Sequence, residues 1–329
     1  MSTNILLLCG GDGAEHDISL ISADFIEQQL KQTADFNVIR ATMHEQRFIT
    51  AEGEGAFDAR RNFCTTQSSY QIDCVVPCLH GVPGETGDIQ SFCRILNLPY
   101  IGCDSEASRK CFNKVTTKFY FDALGLPNTP FALLNFDDEV AHRKAAEFFD
   151  RYGDIYVKAA SQGSSVGCYH VTKREELQER ITEAFGYSSE VLLEKNIVHR
   201  ELEVAAYEYD GQLCITTPGE IIMPDNVFYT FEEKYSKNSA TVTTVEPQGL
   251  KTEEVENIRS IARQAFIGLK LRDLSRIDFF LSPTDGILIN EINTFPGQTP
   301  ISMFPKLLEH NGHNMAEFLR QAVQRAMQR

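Results

Sequence analysis

The 329-residue sequence has no apolar run near the roughly 18 residues that a membrane-spanning helix needs, so none is expected. It has no CxxC. Cys74 and Cys78 are separated by three residues, but no second pair follows at zinc spacing. The nine cysteines, an odd number, then read as reduced, buried thiols of a cytosolic protein. Positive charge is scarce: 31 Lys and Arg face 46 Asp and Glu, and the net charge of −15 argues against a nucleic-acid binder, which would carry a basic face. The opening NILLLCGG is too short in its apolar core for a secretory leader and has no basic flank, so it reads as a first strand. Two nucleotide signatures are missing. Gly10, Gly11 and Gly13 do not have GxGxxG spacing, which argues against an NAD-binding oxidoreductase, and no G-K-[S/T] is present, which excludes a Walker A loop.

What is present suits a globular protein of two or three domains, with 42% hydrophobic and 23% charged residues. Residues 4–9 form a buried strand ending in a glycine turn, then Glu15 and a helix with Ile18, Ile21 and Phe25 on one face, the opening of a Rossmann-like unit. Glu15 lies at the helix start, where the dipole favours its charge. Asp73 to Leu79 is a second buried strand and delivers His80 to its carboxyl end, where open α/β sheets bind ligands. Ser105 to Leu126 reads as one helix carrying Lys110, Lys114 and Lys118, the last two on a shared face. Ile155 to Lys158 is a strand followed by Gln162-Gly163-Ser164-Ser165-Val166-Gly167, whose small residues suit an anion nest beside the Lys158 charge. Val191 to Lys195 is another strand. Asp225 to Gly249 has few regular signals, as a functional or disordered segment would. Thr252 is expected to cap a helix with the stripe Val255, Ile258, Ala262, Ala265 and Leu269, and Met315 to Arg329 a final packing helix. His310 and His313 read as capping or surface residues.

The most specific stretch is Arg276 to Thr299, RIDFFLSPTDGILINEINTFPGQT. It reads as a hairpin with Pro283-Thr284-Asp285-Gly286 as its turn. Ile287, Ile289, Glu291 and Asn293 are expected on one face of the second strand, with Asp278 brought beside them by pairing. Two carboxylates and an amide oxygen are hard ligands that suit Mg²⁺. The turn at Pro296-Gly297 can offer a bare N–H to an oxyanion.

These motifs, in this order, resemble the D-alanine–D-alanine ligases of the ATP-grasp superfamily. The resemblance rests on G-G-x-x-x-E-H-x-x-S-L from Gly10, H-G-x-x-G-E-x-G-x-I-Q from His80, K-x4-G-S-S-x-G from Lys158, R-x-D from Arg276, N-E-x-N-T-x-P-G-x-T from Asn290 and T-x-x-S-x-x-P from Thr299. It implies an α/β (α+β) ATP-grasp fold with an N-terminal Rossmann-like parallel-sheet domain at 1–103, a central domain at 104–198 and a C-terminal domain with metal site and lid at 199–329. It implies that Glu15 binds the first substrate's ammonium and His80 lines that subsite. Lys114, Lys158, Gly163, Ser164 and Ser165 would hold the ATP phosphates. Glu194, Lys195 and Ile197 would lie at the adenine hinge, and Glu201, as distinct from its neighbour Glu203, at the ribose. Lys234 and Tyr235 would belong to a lid, with Tyr235 bonded to Ser164 and Glu15. Arg276 and Gly297 would stabilise the oxyanion, Ser302 hold the second substrate's carboxylate, and Asp278, Glu291 and Asn293 bind Mg²⁺ (two ions, Mn²⁺ as a substitute).

The sequence departs from the family at Gly13, Thr86 and Ala159, where serine, aspartate and proline are common. The implied activity is ATP-dependent joining of two D-alanines through a D-alanyl phosphate, for peptidoglycan in a bacterial cytoplasm. The implied partners are small molecules, neither nucleic acid nor membrane, and a second copy in a homodimer. A D-lactate or D-serine ligase stays open as an alternative, against which Lys234-Tyr235 leans. So does a nucleotide-binding regulator without turnover, which would be expected to lack a metal ligand or Arg276.

Overall fold

The computed structural model describes residues 2–222 and 241–329. The Lys234 and Tyr235 positions lie outside the described residues. Three sheets carry the chain. In the first, Phe36–His44, Thr3–Gly10 and Cys74–Pro77 run parallel, with Thr3–Gly10 in the middle. Ile5 to Cys9 are fully buried, as expected of a strand covered on both faces. An antiparallel meander, Arg47–Thr50, Gly53–Phe57, Asn62–Cys64 and Ser69–Gln71, extends one edge, so only the heart of this sheet is Rossmann-like.

The second sheet has four antiparallel strands in the order Cys168–Val171, Ile155–Ala159, Val191–Lys195, Phe131–Leu134. Helices Glu139–Tyr152 and Leu177–Phe185 bury Ala145, Phe149, Ile181 and Ala184 against it. The third sheet is built on the long strand Arg200–Tyr209, which pairs with Leu274–Ser282, and that strand pairs with Gly286–Asn293. Helix Thr252–Gly268 covers this sheet with Ile258, Ile261, Ala262, Ala265 and Phe266. The final helix, Met315–Met327, crosses back: its Phe318, Leu319 and Val323 share one core with Ile5, Leu7 and Val76 of the first sheet.

Helix His16–Leu30 buries Ser19, Ser22, Ala23, Ile26 and Leu30, while Ile18 and Ile21 turn together to a cavity. Four local expectations are corrected. The helix expected over 105–126 is two, Ser105–Phe112 and Lys114–Ala123, because Asn113 is extended and its side chain caps the second by accepting from the Thr116 N–H at 2.8 Å. Lys251, not Thr252, occupies the N-cap of helix Thr252–Gly268, and Val255 is only half-buried. The hairpin does not alternate regularly, as described below. His313 packs rather than caps: its ring stacks on Tyr209 and its Nδ1 lies 2.6 Å from the Tyr207 hydroxyl. The nine cysteines are free thiols, six of them buried and Cys64, Cys168 and Cys214 half-buried. No described helix is long and apolar enough to cross a membrane.

Candidate active site

The hairpin's strands Leu274–Ser282 and Gly286–Asn293 meet with an irregularity between Asp278 and Phe279. Arg276 pairs with Asn293, Ile277 with Ile292 and Asp278 with Glu291, but Phe279 pairs with Ile289. Asn290 is therefore an extra residue, a β-bulge. Its effect is to place Ile289 and Ile292 both in the core, three residues apart, while Glu291 and Asn293 face the cavity. Ile289 thus does not share the face of Glu291, against the sequence expectation. Asn290 instead lines a small basic recess with Lys114, Lys118 and Lys158.

Asp278 and Glu291 stand directly opposite each other, and like charges so placed repel. Lys114 Nζ lies 3.6 Å from Glu291, and Asn293 Nδ2 donates to Asp278 Oδ2 at 3.0 Å. Two carboxylates in register with an amide alongside form an all-oxygen donor set once the amide presents its oxygen, and a hard divalent cation relieves the repulsion. The residues present therefore fit Mg²⁺. Among the described residues no group of three Asp, Glu, His or Cys side chains is ready to hold a metal. Arg276 forks onto Asp278, Nε to Oδ1 and a terminal nitrogen to Oδ2, both at 2.8 Å. Burial opposes the arginine's charge, but Asp278 and Glu203 outweigh it and hold the guanidinium well above its ordinary pKa.

The phosphate-side lysines come from two elements. Lys158 lies next to the end of strand Ile155–Ala159, which pairs with Val191–Lys195, and Lys118 lies one turn after Lys114. The Glu194 carboxylate is buried between them, 2.5 Å from Lys118 Nζ and bonded to Lys158. Burial alone would raise this carboxyl, but the two lysines reverse the effect and hold it at about 2. So the side chain of Glu194 orders lysines. Lys195 points to Asp285 at 2.6 Å, and its N–H donates to Pro130. Lys195, the buried Ile197 and Ser165 line neither the cavity nor the recess.

The glycine loop turns on Ser164 and Ser165, both left-handed at φ 50° and 63°, a strained conformation for residues with a Cβ. The turn lets Ser164 donate its hydroxyl to Glu15 Oε1 at 2.7 Å. Gly81 is left-handed at φ 62°, which favours glycine, and a Cβ there would come within 2.6 Å of Glu15 Oε2 and displace that carboxylate. His80 is buried and its pKa is lowered by that burial. Its Nε2 lies 2.8 Å from Ser22 Oγ and its Nδ1 3.3 Å from the Phe295 carbonyl, so the ring ties the first helix to the turn after the hairpin. In that turn Ser302 Oγ lies 2.7 Å from Thr299 Oγ1 and accepts from the Thr299 N–H at 3.1 Å. A Cβ on Gly297 would come within 3.0 Å of Ser302 Oγ.

One cavity of about 540 Å³ collects many of these groups, while Lys118, Lys158 and Glu194 line the small recess instead. Glu15, His80, Lys114, Gly163, Ser164 and Glu201 line the cavity, and so do Arg276, Asp278, Glu291, Asn293, Gly297 and Ser302. Sequence reasoning gave no site role to Glu85, Lys118, Glu203 or Asn290. Glu85 stood in the H-G-x-x-G-E run; it lines the cavity and accepts from the Gly81 N–H at 2.9 Å. Its burial pushes its pKa up to about 8, helped by the nearby Glu15. Glu203 stood two residues from Glu201 on the same strand face.

Residues 4–103 match the family model described as D-ala D-ala ligase N-terminus, and residues 120–324 that described as D-ala D-ala ligase C-terminus. The chain belongs to the D-alanine–D-alanine ligase family. A D-alanine–D-alanine ligase of Vibrio campbellii is 50% identical over 329 residues, covering 99% of this chain and 100% of that protein. The solved D-alanyl-alanine synthetase A of Vibrio cholerae superposes with a TM-score of 0.95 at 50% identity, covering 100% of this chain and 99% of that one. The fold is that of the ATP-grasp enzymes, and the family is one of ATP-dependent ligases. The VanG D-Ala:D-Ser ligase of Enterococcus faecalis, at 23% identity over 99% of this chain and all of its own, shares the fold with a TM-score of 0.87, so the fold by itself does not select the second substrate.

Proposed function

We propose that the chain joins two D-alanines at the expense of ATP, with the residues of this cavity and of the adjoining lysine recess in the roles the family motifs assign. The observation that carries the reading is the Ser164–Glu15 bond: it closes the glycine loop, which suits phosphates, onto the residue placed for a substrate ammonium. A carboxylate is a poor acyl donor because its leaving group would be oxide. Attack of the first D-alanine's carboxylate on the γ-phosphorus releases ADP and gives D-alanyl phosphate. The second D-alanine's amine then adds to the carbonyl, loses its proton, and phosphate departs with the C–O electron pair. Lys114 and Lys158 would neutralise the transferring phosphoryl, and Glu194 keeps Lys158 charged. Mg²⁺, held by Asp278, Glu291 and Asn293, supplies charge neutralisation of the phosphate oxygens when bound. Arg276 and the Gly297 N–H would stabilise the tetrahedral oxyanion, worth roughly 3–4 kcal/mol per well-placed donor. Ser302, at the N-cap of helix Met303–His310, suits the second substrate's carboxylate.

The domain division at 103 and 198, a cytoplasmic location, the homodimer and substitution of Mn²⁺ for Mg²⁺ belong to the same reading. The test is phosphate release from MgATP with D-alanine, L-alanine, D-lactate or D-serine, with chromatography of the product. The reading expects release with D-alanine, one phosphate per dipeptide. Faster ester formation from D-lactate, or faster mixed-dipeptide formation from D-serine, as second substrate would replace D-alanine in that position.

A further inference from the structure

Glu203 is a buried carboxylate with no part in the chemistry described so far. It stands in direct register with Asp278, which stands in register with Glu291, so three acids lie side by side across three strands on one face. Lys114 offsets the row at Glu291, and Arg276 offsets it at Glu203 and Asp278. Arg276 Nε lies 3.0 Å from Glu203 Oε1 and 2.8 Å from Asp278 Oδ1. An arginine Nε carries one hydrogen, so it is shared between the two carboxylates. The fork onto Asp278 is completed at Oδ2, which also accepts from Asn293. Both oxygens of Asp278 therefore hold donors, and a cation arriving there competes with the guanidinium for the same lone pairs.

We propose that Glu203 is a positioning residue that takes over Arg276 when Asp278 turns to the metal, so that the cation enters without the arginine leaving the oxyanion side of the cavity. Glu203 is the second seat of a two-seat arginine. Without its charge, the guanidinium stays locked on Asp278 and opposes the metal. The inference rests on the assignment of Asp278 as a metal ligand.

The experiment is Mn²⁺ binding, read by loss of the free-ion electron paramagnetic resonance signal in the presence of ADP. It compares the wild type, Glu203→Gln, Arg276→Ala and the double variant, with thermal midpoints as a check of folding. Glu203→Gln is expected to weaken Mn²⁺ binding by the roughly 10–100-fold typical of losing an outer partner of a metal ligand. Arg276→Ala is expected not to weaken it, because a competitor is gone. In the Arg276→Ala background, Glu203→Gln is expected to change affinity less than about threefold. In turnover, Glu203→Gln is expected to lower kcat more than it raises the KM for ATP.

An equal loss of affinity in both backgrounds overturns the proposal, since the acid then acts through space and not through Arg276. No loss in either background also overturns it and leaves Glu203 a structural ion pair. Absence of Mn²⁺ binding in the folded wild type would overturn the metal assignment itself, a separate failure. If Glu203→Gln does not fold, Glu203→Asp keeps the charge but withdraws it by one methylene. The same pattern of weakened binding, abolished by Arg276→Ala, is expected there, and wild-type affinity in that variant counts against the proposal.

Discussion

At the scale of single residues, the cavity depends on charges held where burial alone would suppress or misdirect them. Glu291→Gln keeps size and hydrogen bonding but removes one of two facing carboxylates. It is expected to cut turnover by at least the roughly 10–100-fold that loss of an outer-shell partner costs, with an unchanged thermal midpoint. Near-normal turnover would contradict the metal assignment. Glu85 behaves oppositely to Glu194. Its folded-state pKa, about 8, lies above the ordinary value of 4.5, because the half-buried side chain is desolvated and lies near Glu15. Its contribution to stability is therefore fully present below about pH 4.5 and is lost as pH rises through 8. Glu85→Gln stays neutral throughout. Its thermal midpoint should match the wild type near pH 5 and exceed it increasingly toward pH 9. A difference that does not grow with pH would mean that Glu85 is ionised in the folded protein.

At the scale of elements, the bulge at Asn290 organises the site. A regular ladder would keep Phe279 opposite Ile289 and Asp278 opposite Glu291 without any residue between, so deleting Asn290 is expected to preserve both faces of the hairpin. What it removes is the local bend and the side chain aimed at the recess of Lys114, Lys118 and Lys158. The deletion variant should fold, with its midpoint lowered by a few degrees, yet bind ATP at least about tenfold more weakly, measured by calorimetry. Unchanged ATP binding would show that the bulge is incidental. This element also marks the limit of sequence reading. Glu291 and Asn293 were legible as a pair because i and i+2 share a face in any strand. The bulge was not, because Asn290 looks like one more polar residue in an alternating run. The break at Asn113 left a readable signal, an asparagine in capping position, that the lysine spacing obscured. Ile18 and Ile21 were legible as one apolar face, but such a stripe does not say whether it faces packing or a cavity. The pairing of Lys118 with Glu194 joins residues 76 positions apart in sequence and leaves no local trace.

At the scale of the whole molecule, the first and last parts of the chain are tied together away from the cavity as well as at it. Asp273 is fully buried and left-handed at φ 57°. It accepts from the Gly102 N–H at 2.8 Å, from Arg325 at 3.1 Å and from Arg329 at 2.8 Å. The chain end thus clamps the point where the first sheet's segment passes into the second. Asp273→Asn leaves two arginines facing an amide. Both keep some contact with solvent, so the cost should be about 2–3 kcal/mol, below the roughly 3–5 of a fully buried broken pair. The thermal midpoint should fall by about 5 °C. An unchanged midpoint would mean that the clamp adds nothing to stability. The motif order made the three-part architecture legible, whereas the packing of the final helix on the first sheet and the clamp at Asp273 became visible only in the structure.

The most direct test of the central claim is the fate of oxygen. With both carboxyl oxygens of D-alanine labelled with ¹⁸O, reaction through D-alanyl phosphate predicts one labelled oxygen in the released phosphate for each dipeptide formed, read by mass spectrometry. Dipeptide formed with unlabelled phosphate would contradict the mechanism.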